Sequence, residues 1–311
     1  TSRAVTDATR KVPVAEMEKA VADLGKRLTV RLDGRGDFKS IQAAIDAAKG
    51  GELIEILDEG PYHEYLTIPP PKSGLTLRGK RGFWPVVTSL VPKPEPKAVL
   101  TISAPRTTVQ HMVLLHINGL KNGLCVAFYR PCSALLKNVL VYATEQRGIA
   151  VGGNGFPTAE LSDSIIFGAF TGNNVPFTFS NCLYPNGNLD VYNSCVFRRC
   201  TIGTQLVLKY DPHTILDCVA RDIVIDPNSR GHVIKNCATF GQGRLPEESE
   251  NSFFTNPRFL DPVNLDYRLA PGSPCKGKAS DGGDIGCRYT PEMIELCKVA
   301  LELRRRGVIK F

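Results

Sequence analysis

Ser164-Ile165-Ile166, Cys182-Leu183-Tyr184, Cys200-Thr201-Ile202, Cys218-Val219-Ala220 and Cys237-Ala238-Thr239 follow one another along the chain at a nearly constant step. Each segment opens with a small residue and runs on as a short aliphatic stretch, and Gly, Pro, Asn and Asp fill the gaps. A constant step of roughly 18 residues marks a solenoid, in which a unit that cannot bury its apolar face alone stacks on copies of itself. The runs have strand length and strand composition, so each unit reads as one turn of a parallel β-helix. Upstream, His111-Met112-Val113, Asn138-Val139-Leu140 and Ser164-Ile165-Ile166 stand at wider steps than those that follow, which gives the early coils larger loops. Pro92 to Pro96 and Gly152 to Pro157 are such loops by composition, and loops of this kind are where ligand sites sit.

The composition is that of a globular chain: 311 residues, 42% hydrophobic and 22% charged, enough for one long core. Its longest apolar runs, such as 165–167 and 206–208, fall far short of the ~20 residues a membrane span needs, and no membrane contact is expected from this segment. The net charge of +7 is partly local, with Arg304-Arg305-Arg306 at one end and Lys72, Arg78, Lys80 and Arg81 near the first repeats. Aromatic side chains do not interleave with these cations, so nucleic acid is not expected as a partner, whereas an acidic polysaccharide is compatible. The chain opens at Thr1 without Met, and is read as cut from a longer polypeptide whose upstream domain is an expected partner.

Half of the ten cysteines fall on or close to the repeat register, where they serve as small core fillers. Adjacent rungs lie ~4.8 Å apart, near the Cα separation a disulfide accepts, so geometry permits bridges; free thiols are the expected state. Cys195 and Cys200 have no second close pair, and His63, His111, His116, His213 and His232 are scattered, so no metal site and no cofactor is expected.

At the front, Val14, Met17, Val21 and Leu24 fall on one helical face, predicting a leading helix or linker over residues 1–27. Residues 28–289 are assigned to the β-helix, with strands at 28–32, 53–57, 66–68 and 75–78. Between the first two, Asp37 is expected to cap a helix with apolar face Ile41, Ala44, Ile45 and Ala48, ended by Gly50-Gly51. A C-terminal helix is expected over 290–311, with Thr290 as cap, Pro291 in its first turn, Ile294, Cys297 and Leu301 inside and Gly307 as stop. It would cover the last rung or pack along the barrel side.

The string from Gly36 to Ala48, then Glu55-Ile56-Leu57, Gly60-Pro61-Tyr62-His63-Glu64 and Leu75-Thr76-Leu77-Arg78-Gly79, resembles the opening of pectin methylesterases and related right-handed parallel β-helix proteins. The resemblance implies an all-β, single-stranded right-handed parallel β-helix with capping helices at its N- and C-terminal ends. The closing segment is similar to that of many bacterial β-helix proteins, through Asn256-Pro257-Arg258-Phe259-Leu260-Asp261-Pro262, Leu265-Asp266-Tyr267-Arg268-Leu269 and Gly283-Asp284-Ile285-Gly286. The catalytic strings of the esterases have no counterpart. Asn122-Gly123-Leu124-Cys125-Val126-Ala127-Phe128 lacks their glutamine, and Asp163-Ser164-Ile165-Ile166-Phe167-Gly168 lacks their nucleophile aspartate at the matching place. A two-carboxylate mechanism needs a protonated donor beside an ionised partner, and no such pair can be placed. Only Arg221-Asp222 with Asp226 faintly suggests the calcium cluster of a lyase.

If the cysteine column faces inward, strand alternation turns the residues before it, Asp163, Asn181, Arg199, Asp217 and Asn236, outward. This polar column is either a stabilising ladder, with Arg199 pairing to Asp217 or Asn181, or a strip of charge facing a saccharide. Tyr192 and Tyr210, separated by the same step as the cysteines, are expected on adjacent rungs with Asp211 and His213 nearby, as a sugar platform or a packing ladder. Asp163, Arg199, Asp217, Tyr192, Tyr210, Asp211 and His213 are thus the candidate ligand residues. The expected function is a non-catalytic binding or scaffold module of a larger extracytoplasmic or cell-surface bacterial protein, resembling modules appended to receptor-type kinases. The alternative is a carbohydrate-active enzyme of pectin-degrading type, an esterase, lyase or glycoside hydrolase. The fold permits both.

Overall fold

Ile165, Leu183, Thr201, Val219 and Ala238 are direct register partners on successive parallel strands, so the sequence period is the physical repeat of the molecule. The computed structural model describes residues 27–88, 98–117, 123–144, 148–155, 157–171, 175–187, 189–242 and 245–311. The leading helix and the Pro92 to Pro96 loop lie outside them, except that residues 27 and 28 already belong to the strand Arg27–Val30. Among the described residues, twenty-five strands form one parallel ladder wound as a right-handed β-helix, and a two-stranded antiparallel sheet follows.

The winding makes three walls. Sheet I begins with Arg27–Val30 and Leu53–Ile56, runs through residues 133–137, Thr158–Ser162, Phe177–Ser180 and Val196–Arg198, and ends at Ser249–Glu250. Sheet II carries the cysteine register and ends at Phe253–Phe254; sheet III begins with Leu66–Ile68 and ends with residues 222–225. Side chains alternate along every strand, so each wall sends one row into the tube and the other out. Ile54, Leu77, Val109, Leu136, Leu161, Phe179, Phe197, Ile215 and Ile234 make the inward row of sheet I, all buried. Cys182, Cys200, Cys218 and Cys237 stack inside as free thiols, and all ten cysteines are free and buried.

Helix α1, Ile41–Ala47, closes the first coil with Ile41, Ala44 and Ile45 buried. Its cap is Ser40, whose hydroxyl accepts from the Ala43 N–H, and it ends at Ala48 before the glycines. Asp37, expected as the cap, instead accepts from the backbone and hydroxyl of Thr29, because the chain is still bridged to the first strand there.

The antiparallel pair Phe259–Asp261 and Asp266–Leu269 leads into helix α2, Pro291–Arg305, with Thr290 as cap as expected. Of the two placements open to α2, it takes the side of the barrel. Met293, Leu296, Cys297, Ala300 and Leu303 lie on Val113, Leu115, Leu140, Tyr142, Ile165, Phe167 and Leu183, the outward row of sheet II. The buried stripe is therefore rotated from the predicted one, and Ile294 and Leu301 remain half-buried. Sheet II is apolar on both faces, which alternation alone would not produce; the returning C-terminal segment is what its outer face answers.

Candidate functional site

The predicted site residues fall on the two long edges of sheet I. The structure does not bring them into one cluster.

On the edge shared with sheet II, the residue before each register position is not extended. Asp163, Asn181, Arg199, Asp217 and Asn236 have φ of 49°, 55°, 51°, 55° and 52°, so each turns the corner in the left-handed region. Asn and Asp tolerate that conformation, which explains their recurrence; Arg199 is the outlier. Alternation therefore fails as the reason for their outward direction, and what Asp163, Asn181, Arg199 and Asp217 face is their own chain. The Asn181 amide donates to Asp163 Oδ1 at 2.7 Å and to the Arg288 carbonyl at 2.9 Å, while its Oδ1 accepts the Arg288 N–H at 2.6 Å. Asp217 is buried and accepts both the N–H and the hydroxyl of Ser280, at 2.7 and 2.6 Å. Arg199 pairs with neither Asp217 nor Asn181 but with Asp281, at 3.9 Å. The Arg288 guanidinium forks onto that same Asp281 at 2.7 and 2.6 Å and holds its carboxyl far below the usual range. This edge is the seam that fastens the C-terminal segment.

On the edge shared with sheet III, Tyr192 and Tyr210 do stack on adjacent rungs, with ring centroids 5.8 Å apart and planes at 31°. Tyr210 is 64% exposed, and Asp211 is exposed beside it. Lys209 donates to Asp190 at 2.6 Å, which raises its ammonium above the ordinary lysine value, and hangs 5.2 Å from the Tyr192 ring centroid. His213 is buried and belongs to a ladder. Its Nδ1 accepts the Cys195 N–H at 3.0 Å, its own N–H donates to His232 Nδ1 at 3.1 Å, and the two rings are parallel, 5.4 Å apart. Because Nδ1 accepts, Nε2 carries the hydrogen and donates to the Lys209 carbonyl at 3.1 Å. Both nitrogens are used, and burial lowers the pKa of His213 and keeps it neutral. As a solvent-facing ligand group it is a misreading, since its column points into the turn.

Between these edges, the outer face of sheet I forms an axial groove of about 610 Å³. One side is built by Thr108, Leu135, Glu160, Thr178 and Val196, register partners on five successive rungs. Arg106, Ser133, Thr158 and Ser194 line its other margin. Four steps of ~4.8 Å make the row about 19 Å long. Among the described lining residues Glu160 is the one carboxylate. It is exposed, and partial desolvation by the groove raises its carboxyl above the ordinary glutamate value, opposed by Arg198 and Lys137 and reinforced by Asp163. Neither Glu160 nor Arg106 emerged from the sequence, because the period was anchored on sheet II. The alternation in Thr158-Ala159-Glu160-Leu161-Ser162 was the available signal. Among the described residues no group of three or more His, Cys, Asp or Glu could hold a metal ion.

No family model matches the chain, and no curated protein sequence matches it. Solved structures similar to it include a pectin methylesterase from carrot, at 12% identity and a TM-score of 0.47, covering 73% of this chain and 82% of that one. A pectin methylesterase from Aspergillus niger is similar at 14% identity and a TM-score of 0.45, over 75% and 85% of the two chains. Pectin methylesterase PemA from Erwinia chrysanthemi follows at 16%, 0.42, and 73% and 89%. Likeness at this level carries nothing about activity, and the β-helix rests on this chain's own strand register.

Proposed function

We propose that this chain is a non-catalytic glycan-binding module of an extracytoplasmic, cell-surface bacterial protein, and that its binding wall is the outer face of sheet I. The observation that carries the reading is the groove itself: open, axial, five rungs long and lined by hydroxyls with one cation at its margin. Rungs repeat at ~4.8 Å, close to the length of one sugar residue, so an extended chain of sugars can meet equivalent groups on successive rungs. Tyr192, close in sequence to the lining Ser194, and Tyr210 extend that wall with aromatic faces. Arg199 and Asp217 are left out of the binding set, being engaged by Asp281 and Ser280.

The enzymatic alternative has one observation in its favour, the raised carboxyl of Glu160 in the groove. It lacks a second carboxylate among the described lining residues to act as nucleophile or base. Calorimetric titration of acidic and neutral oligosaccharides tests the proposal. Leu135→Arg, which fills the groove, should weaken binding about tenfold or more, and Tyr210→Ala should weaken it less. Absence of binding, or binding indifferent to Leu135→Arg, overturns the assignment. Turnover of the same oligosaccharides abolished by Glu160→Gln would establish the enzymatic reading instead.

A further inference from the structure

The two ends of the solenoid are finished differently. At the start, α1 lies across the opening and Gln42 plugs the free edge of the first strand of sheet III. Its Oε1 accepts the Thr67 N–H at 2.7 Å and its Nε2 donates to the Thr67 carbonyl at 3.2 Å. An edge closed by a helix and a side-chain amide does not recruit another strand.

Among the described residues the far end has no such device. Its last rung is Ser249–Glu250 and Phe253–Phe254, and among the described residues no further strand pairs with it. Phe254 continues the row of Ile202, Ala220 and Thr239, which points into the tube; those three are at most 1% exposed, whereas Phe254 is 60% exposed. Its neighbour Phe253, on the outward row, packs against the cluster of Val219, Ala238 and Ile285. The ring that should be inside is bare while the ring that should be outside is covered. Beneath Phe254, the buried Thr239 hydroxyl has no hydrogen-bond partner. Exposed Glu247, Glu248 and Glu250 surround the mouth, and Lys235 answers only Glu250, at 2.8 Å.

We propose that this mouth binds an extended peptide segment of a partner protein, alternating apolar and basic residues, which adds as one more strand to the last rung. Main-chain pairing supplies the affinity, an apolar side chain covers Phe254, and Lys or Arg faces Glu247 and Glu248. A second copy of this chain is the poorer occupant. Mouth to mouth, it sets glutamates against glutamates; head to tail, its sheet I strand meets Arg27–Val30, whose outer edge is taken by Phe38.

The test uses the full chain and a fluorescein-labelled peptide of alternating lysine and valine. Saturable binding is expected, with slowed amide exchange confined to residues 249–255 and no binding of a glutamate–valine counterpart. The double substitution Glu247→Lys, Glu248→Lys should weaken binding about tenfold or more. Phe254→Asp should do the same with an unchanged far-ultraviolet circular dichroism spectrum, since the ring is already solvent-exposed. No binding of the lysine–valine peptide, protection elsewhere on the chain, or equal affinity for the charge-reversed variant would overturn the proposal. So would a concentration-dependent dimer abolished by Phe254→Asp, which gives the mouth to a second copy.

Discussion

Asp217 holds Ser280 by both of its carboxylate oxygens, one taking the backbone N–H at 2.7 Å and the other the hydroxyl at 2.6 Å, across 63 residues of sequence. The pair joins a corner of the solenoid to the segment that returns over it. Gly286 adds a third tie by donating to the Asp217 carbonyl at 2.9 Å.

Asp217→Ala removes two hydrogen bonds between a buried carboxylate and the exposed Ser280 and should cost about 1–2 kcal/mol of stability, since the freed Ser280 donors turn to water. The loss should be local as well as global. Limited proteolysis should cut within residues 279–290 faster than in wild type, and an unchanged cleavage rate together with an unchanged unfolding midpoint would show that the seam does not depend on this contact.

The thiol column predicts chemical silence. Burial pushes the thiols of Cys125, Cys132, Cys195, Cys287 and Cys297 up to about 12 and Cys275 up to about 11, and Cys182 and Cys218 are raised as well. Cys200 runs the other way: desolvation raises it, but its hydrogen bonds with the Cys182 and Cys218 thiols outweigh that and lower it. Because all ten cysteines are buried, a thiol reagent should nonetheless reach essentially none of them in the native protein and all ten after denaturation. Cys200→Ser should fold, whereas Cys200→Asp puts an unpaired charge inside the tube and should cost roughly several kcal/mol. Rapid labelling of the native column would contradict the inward register.

Four of the five histidines, His111, His116, His213 and His232, have their pKa lowered, in each case chiefly by desolvation. The unfolded chain then binds protons that the folded chain refuses. Their contribution is fully present above the unfolded value of 6.5 and is lost as pH falls through the lower folded values. The thermal midpoint should be flat above about pH 7 and should fall below about pH 6. His213→Gln should shallow that acid slope, and a slope identical to wild type would remove His213 from the set.

Helix α2 covers an apolar face that would otherwise be wet. Leu296→Ala opens a cavity against sheet II and should cost about 2–4 kcal/mol. Met293→Asp should lift the helix off altogether, detectable as binding of a hydrophobic dye by a chain whose strand content, measured by circular dichroism, is retained. Loss of all strand signal would mean that the coils cannot stand without the helix.

The fold was legible because the repeat is carried by one column of small inward residues at sheet II, from Ser164 to Cys237, and stacking requires such a column to keep its interval. The candidate site was not. Asp163, Arg199 and Asp217 repeat as faithfully as the cysteines, but their period comes from a left-handed corner, and a period by itself does not distinguish a corner that meets solvent from one that meets residues 280–288. His213 was misassigned for a related reason: its partner His232 stands one coil further on, and only the stacked rings reveal the pair as a ladder. The Tyr192 and Tyr210 stack was recoverable since both residues lie at the same point of adjacent coils. Glu160 was hidden because sheet I has no marker residue, only alternation within each short strand.

The Tyr142 hydroxyl accepts the Lys310 N–H at 3.1 Å and donates to the Lys310 carbonyl at 3.3 Å, a contact spanning 168 residues. Synthesis proceeds from the N-terminus, so the coils around Tyr142 leave the ribosome long before Lys310 exists. During that interval the stripe of Val113, Leu115, Leu140, Ile165 and Leu183 has nothing to cover it, while the inside of the tube is already closing rung by rung. Nascent chains of this protein therefore pass through a stage that is sealed within and sticky without, and a chaperone that holds such a stripe would be released by the arrival of the closing helix and tail.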